Sequence, residues 1–180
     1  MTWHDLRDWM DEVDKAGQLR VVSGADWQED IGRITEMLDH TPDSPCVVFD
    51  DIPGYPSGWR VIANCNGTRE RQAITLDLPP GEISHDALLG RWEDILGKMQ
   101  PTGPESVASG PIMENVVEGS DVDLNAFPAP MWHPQDGGRY IGTASLNIMK
   151  DPDSDWVNVG TYRNEVLDKN RLGVWMSPGK

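Results

Sequence analysis

Apolar residues recur at helical spacing through most of the first hundred positions and at strand spacing near the end of the chain. Leu6, Trp9, Met10 and Val13 repeat every three or four residues until Gly17, which predicts an amphipathic helix with its start signal at Thr2 and Asp5. Leu19 to Val22 is a short apolar strand. Asp26 with Glu29 forms a second capping pattern before Ile31, Ile34 and Leu38, one face of a second helix closed by Pro42 and Pro45. Cys46 to Phe49 reads as a buried strand, and Trp59 to Asn64 as its return partner across the Pro- and Gly-bearing loop 51–58. Thr68 caps a short helix through Leu76. Ser84 caps a longer one, in which Leu88, Leu89, Trp92, Ile95, Leu96 and Met99 form the apolar stripe.

The pattern then changes. Six prolines between Pro101 and Pro134 and few periodic runs predict an extended connector with short strands, and place a subdomain boundary near Gly110. From Arg139 to Lys150 the chain alternates: Tyr140, Gly142, Ala144, Leu146 and Ile148 face one way, Ile141, Thr143, Ser145 and Asn147 the other. Asp151 to Asp155 is a turn, Trp156 to Leu167 a second long strand, and Leu172 to Met176 the start of a third. Three strands joined by short polar turns make a meander, the opening of a barrel or sandwich. The fold class is α+β, with an N-terminal α+β subdomain over 1–110 and a connector and β-meander over 111–180.

Composition narrows the partners. Fifteen Lys and Arg against thirty Asp and Glu give a formal charge of −15, which repels nucleic acid phosphates and anionic lipid head groups. The segment from Thr2 to Gly17 is charged rather than an export signal, and no run reaches the ~18 apolar residues of a membrane span. The cytoplasm is the expected location, with Cys46 and Cys65 as free thiols. Eight evenly spread tryptophans read as packing residues.

The common catalytic signatures are missing: no Walker loop, nucleophile elbow or dinucleotide fingerprint is present. His4, His40, His85 and His133 are far apart, without the i, i+4 pairing of a histidine metal site. Gly67 to Arg71 is either an anion-binding helix start or a capped, solvated helix end. The stretch Asn158-Val159-Gly160-Thr161-Tyr162-Arg163 is more informative. An Asn amide oxygen is a neutral hard ligand for a cation, and a glycine within a strand permits close approach. An Arg on a half-buried strand calls for an anion. The other reading of Arg163 is a surface ion pair on an edge strand.

This stretch, with Lys150-Asp151-Pro152 before it and Asp168-Lys169-Asn170-Arg171-Leu172-Gly173 after it, resembles the UbiD family. Upstream, Asp5-Leu6-Arg7, Asn66 to Arg71, Asp121 to Leu124 and Phe127-Pro128 are similar to the family's N-terminal half, so the likeness covers nearly the whole chain. It implies an α+β region followed by a split β-barrel that binds prenylated flavin mononucleotide, and a lyase activity. The reaction it implies is reversible, non-oxidative decarboxylation of an aromatic or α,β-unsaturated carboxylic acid. It implies Asn158 as ligand to a divalent metal, manganese, with potassium as a further ion. It implies Asn158, Gly160, Thr161, Tyr162, Arg163 and Lys180 as cofactor contacts, and Arg163 as the catalytic residue that holds the substrate carboxylate. A homo-oligomer through the C-terminal region of the longer family members is also implied.

The departures are as definite. The family's His ligand falls just past Lys180, its Glu ligand and catalytic acids further on, and residues 175–179 match only loosely. The chain alone is therefore expected to be inactive. A non-catalytic assembly or regulatory protein on the same fold, a subunit of a split enzyme, and a flavoprotein using unmodified flavin are the alternatives. One geometric expectation follows from counting. Asn158 and Arg163 are an odd number of positions apart, so on a regular strand they face opposite ways. A bulge at Gly160 to Thr161 would bring them to one site; the alternative is a cofactor lying across the strand's edge.

Overall fold

The computed structural model describes residues 3–100, 102–103 and 105–176. Its helices are α1 (Leu6–Lys15), α2 (Asp30–Asp39), α3 (Arg69–Thr75) and α4 (His85–Lys98). Its strands are β1 (Leu19–Ser23), β2 (Cys46–Asp50), β3 (Val61–Ala63), β4 (Arg139–Lys150), β5 (Val157–Val166) and β6 (Leu172–Val174). The strands form two three-stranded sheets, ordered β1-β2-β3 and β4-β5-β6, so the chain is α+β as its pattern predicts.

Two compact units emerge. The first comprises Met1–Val21, Leu38–Val48 and Ile62–Asp121; the second comprises Val22–Met37, Phe49–Val61 and Val122–Lys180.

In the first unit α1 starts at Asp5, whose carboxylate accepts from the amides of Arg7 and Asp8 at 2.7 and 3.0 Å. Those amide bonds, that of Asp8 foremost, hold the Asp5 carboxyl below its ordinary range. The cap is thus Asp5; Thr2 lies outside the described residues. The helix buries Trp9 and Val13 against Cys46, with Trp3, Met10, Leu19, Ile62, Cys65 and Ile74 around them. Both indoles are also satisfied: Trp9 Nε1 donates to Thr75 Oγ1 and Trp3 Nε1 to the Ile74 carbonyl. Thr68 and Ser84 cap α3 and α4 as their positions predict. On α4 only Leu88 is buried, packing with Ala73 and Leu76 beside a half-buried Ile95. Leu89, Trp92, Leu96 and Met99 of the expected stripe are exposed.

Two further expectations change. Between 111 and 138 the described chain forms three short 3-10 turns and no strand; prolines and Asx turns such as Asp123 to Asn125 hold it extended instead. The tryptophans are also not uniformly packing residues, since Trp92, Trp156 and Trp175 are exposed.

The second unit is anchored by Arg139 at the start of β4. Its guanidinium lies 4.0 Å from the Trp27 ring centre and donates to the Ala129 and Phe127 carbonyls and to the Tyr55 hydroxyl. β4 and β5 then run antiparallel from Arg139 opposite Val166 to Lys150 opposite Val157, and β6 pairs with β5 only at Asn164 to Val166.

Candidate functional site

The informative stretch from Asn158 to Arg163 occupies most of β5, and its two faces differ. Asn158, Gly160, Tyr162 and Asn164 are half-buried or buried, whereas Val157, Val159, Thr161 and Arg163 are exposed, in strict alternation. Pairing with β4 is unbroken from Val157 through Tyr162. The bulge expected at Gly160 to Thr161 is therefore not there, and Asn158 and Arg163 face opposite ways.

The irregularity sits in the partner strand. Between Ile141 and Ser145 β4 spends four steps where β5 spends two, from Asn164 to Tyr162. Gly142 at this point has φ of 65°, and a Cβ there would meet Ser145 Oγ at 1.8 Å. A glycine inside an otherwise alternating run is the signal that marks such a bulge. Its effect is to leave Arg163 unpaired in the ladder and to put Thr143 beside it.

On the inner face three residues act together. The Tyr162 ring lies over Gly160, where a Cβ would come within 2.7 Å of its Cε2. Asn158 Nδ2 donates to the Tyr162 hydroxyl at 3.1 Å. Gly160 thus serves a close side-chain approach. With its nitrogen committed, Asn158 keeps its oxygen, the atom a hard cation takes, without a hydrogen bond among the described residues.

On the outer face Arg163 stands over the Tyr140 ring, 5.2 Å from its centre. Among the described residues no carboxylate pairs with it, so the surface ion pair is absent. An open cleft of about 570 Å³ surrounds it, lined by Tyr140, Thr143, Thr161, Glu165, Val174 and Trp175 among others. That volume lies within the range of small-molecule sites, ~300–1,000 Å³. Because β6 reaches β5 only at Asn164 to Val166, the edge of β5 before Asn164 has no strand beside it among the described residues. A molecule lying across that edge meets Arg163 on one side and Asn158 on the other.

Among the described residues this stretch offers a cation one neutral oxygen, on Asn158, and an anion one guanidinium, on Arg163. Among the described residues no three His, Cys, Asp or Glu side chains converge as a metal-holding group. His4 pairs with Asp8, and His133 with Asp136 and Glu36. Lys180 lies outside the described residues. The segment Gly67 to Arg71 is a helix start capped by Thr68, with Gly67 and Arg69 exposed, but Arg71 points inward: it is fully buried and donates to the Cys65 and Ser44 carbonyls and to Gln18 Oε1.

The chain is thus α+β, with an antiparallel meander as its second sheet and an exposed arginine in an open cleft on one strand of it. Two family models match it: the 3-octaprenyl-4-hydroxybenzoate carboxy-lyase N-terminal domain over residues 10–88 and the Rift-related domain of the same carboxy-lyase over residues 105–180. The chain belongs to the UbiD family. It is 31% identical over 176 residues to the pyrrole-2-carboxylic acid decarboxylase of Pseudomonas aeruginosa, covering 93% of this chain and 35% of that protein. It is 33% identical over 188 residues to a phenolic acid decarboxylase of Sedimentibacter hydroxybenzoicus, covering 96% of this chain and 36% of that protein. The closed form of the vanillic acid decarboxylase of Sedimentibacter hydroxybenzoicus superposes with a TM-score of 0.84 at 30% identity, over 97% of this chain and 37% of that one. An evolved dimeric form of the UbiD-class enzyme HmfF from Pelotomaculum thermopropionicum, in complex with prFMN, superposes at 0.79 with 27% identity, over 98% of this chain and 39% of that one. The chain spans little more than a third of the length of these relatives.

Proposed function

We propose that this chain forms the N-terminal part of a decarboxylase that acts on an aromatic or α,β-unsaturated carboxylic acid with prenylated flavin mononucleotide and a divalent metal, manganese. The observation that carries the reading is Arg163: a guanidinium on an open cleft, stacked on Tyr140 and with no ion-paired carboxylate among the described residues, although Glu165 lines the same cleft. The named activities of the similar proteins support it.

The cofactor, when bound, supplies the electron sink that decarboxylation requires and that no side chain here can provide. Arg163 orients the substrate carboxylate with two parallel N–H donors, and the Tyr140 ring fixes the plane of that fork. Asn158 offers its amide oxygen to the metal, its nitrogen being held by Tyr162. Thr161 and Tyr162 border the cleft and are assigned to cofactor contact with Gly160 and Lys180. The edge of β5 is the place where one elongated molecule would reach both Asn158 and Arg163. Residues 1–110 act as the α+β support and 111–180 as the opening strands of the barrel. Homo-oligomerisation in the longer protein, potassium as a second ion, and a cytoplasmic location complete the proposal; among the described residues no helix is long and apolar enough to cross a membrane.

The test is carbon dioxide release from a panel of aromatic and cinnamic-type acids with prenylated flavin and manganese. The 180-residue chain alone is expected to be silent. A polypeptide that joins it to the remaining two thirds of a UbiD-type chain is expected to turn over. Turnover by the 180 residues alone would show that the site needs no further ligands, and silence of the joined protein with bound cofactor would overturn the decarboxylase reading.

A further inference from the structure

The two cysteines, far apart in sequence, meet in the first unit. Cys46 opens β2 and is fully buried; Cys65 follows β3 and is half-buried. Cys46 forms a hydrophobic cluster with Trp9 and Val13, and Cys65 packs against that cluster. Arg71, the largest fully buried side chain, lies beside them. Its Nε donates to the Cys65 carbonyl and its Nη1 to Gln18 and Ser44, but Nη2 has no hydrogen-bond partner among the described residues. Nor does any carboxylate form an ion pair with this guanidinium among the described residues. A buried cation without an ion-paired carboxylate is costly, and the groups that act on it most strongly as anions are the two thiols, ahead of Glu70.

We propose that Cys65 is a nucleophilic thiolate held by Arg71, and that with Cys46 it forms a reversible disulfide by exchange with small disulfides. The site uses no residue of the Arg163 cleft. The exchange balances in two steps. The Cys65 thiolate attacks one sulfur of a low-molecular-weight disulfide, forming a mixed disulfide and expelling a thiolate that takes a proton from water. The Cys46 thiol then gives its proton to solvent and attacks Cys65 Sγ, expelling the second small thiol. One small disulfide is reduced to two thiols as the two cysteines are oxidised by two electrons.

The electrostatics assign the roles. The neighbouring Cys46 thiol and then the Arg71 charge, against the opposing effect of burial, bring the Cys65 thiol down to about 7. The neighbouring Cys65 and burial push Cys46 up, so it keeps its proton and acts second. The titratable and charged groups that face the pair are each other, Arg71 and, through Arg71, Glu70. Solvent exposure orders them the same way, since only Cys65 is reachable.

Oxidised glutathione is a suitable probe on the folded 180-residue protein, followed by intact mass and peptide mapping. The expected result is joint loss of both thiols and a Cys46–Cys65 cross-linked peptide. Cys46→Ser should stop at a stable glutathionyl adduct on Cys65, and Cys65→Ser should leave Cys46 unreacted. Iodoacetamide should label Cys65 with a rate that rises through a midpoint of about 7, on the order of ten times faster at neutral pH than an ordinary thiol of pKa ~8.5. A wild-type protein that stalls at the single adduct, or keeps two free thiols while folded, would overturn the disulfide. Equal labelling of Cys46 and Cys65 would overturn the assignment of the nucleophile.

Discussion

Arg163 carries its charge on an exposed position of β5, against a tyrosine ring. On the proposed reading, Arg163→Ala in the joined protein is expected to lower carbon dioxide release by several orders of magnitude with the cofactor still bound, because the substrate carboxylate would lose its two-pronged partner. Arg163→Lys should restore little, since an ammonium cannot reproduce a planar fork; near-normal turnover of the Lys variant, read by carbon dioxide release, would show the residue to be structural. Asn158 depends on a neighbour that sequence names without explaining. Gly160 is required for the room it leaves the Tyr162 ring, so Gly160→Ala must displace that ring and its bond to Asn158. Urea unfolding should show a loss of about 1 kcal/mol for Gly160→Ala and almost none for Thr161→Ala on the exposed face. Asn, Gly and Arg are each conspicuous on a strand, but those residue types alone left Arg163 open to a surface ion pair; the likeness of Asn158 to Arg163 to the family's motif is what singled the stretch out. The Arg71 and Cys46–Cys65 cluster was not legible: its members are spread over 26 positions, and helical spacing on α3 makes Arg71 look solvated until β2 and Gln18 are packed around it.

The elements themselves were largely readable, since each is announced by a local rule. Asp5, Thr68 and Ser84 accept from amides of the first helical turn, and the alternation of β4 and β5 is visible directly. What local rules do not carry is which of two paired strands absorbs an irregularity. Gly142 and Gly160 lie on neighbouring strands and both satisfy the strand-glycine signal, yet only Gly142 has a positive φ. Gly142→Ala is therefore expected to cost about 1–2 kcal/mol, from the left-handed backbone together with the approach to Ser145 Oγ. Thermal unfolding and amide exchange across β4 and β5 would measure it, and an unchanged melting temperature would mean that the register shift does not depend on that backbone conformation. The α4 stripe shows the complementary limit. Its spacing is helical, as read, but periodicity cannot say how much of a stripe is covered; Leu88 is buried while Leu89, Trp92, Leu96 and Met99 are open.

At the scale of the whole molecule, two features pull against each other. The outer face of the second sheet exposes Leu146, Ile148, Val157 and Val159 at 50–69%, a contiguous apolar surface of the kind that proteins normally cover. Leu146 lies opposite Thr161 and Ile148 opposite Val159, so this is the same face that carries Arg163. Against the adhesion of such a surface stands a formal charge of −15, which keeps copies apart and also strains each folded copy by self-repulsion. Salt separates the two. Raising ionic strength shortens the screening length from ~10 Å at 0.1 M to ~3 Å at 1 M, which relieves repulsion within and between copies alike. The melting temperature is therefore expected to rise by several degrees over that interval, while light scattering shows association through the uncovered face. Replacing Ile148 and Val159 by Thr should remove the association and leave the salt-dependent gain in melting temperature. If the gain disappears with the association, the stabilisation comes from self-contact rather than from screening, and the charge argument fails.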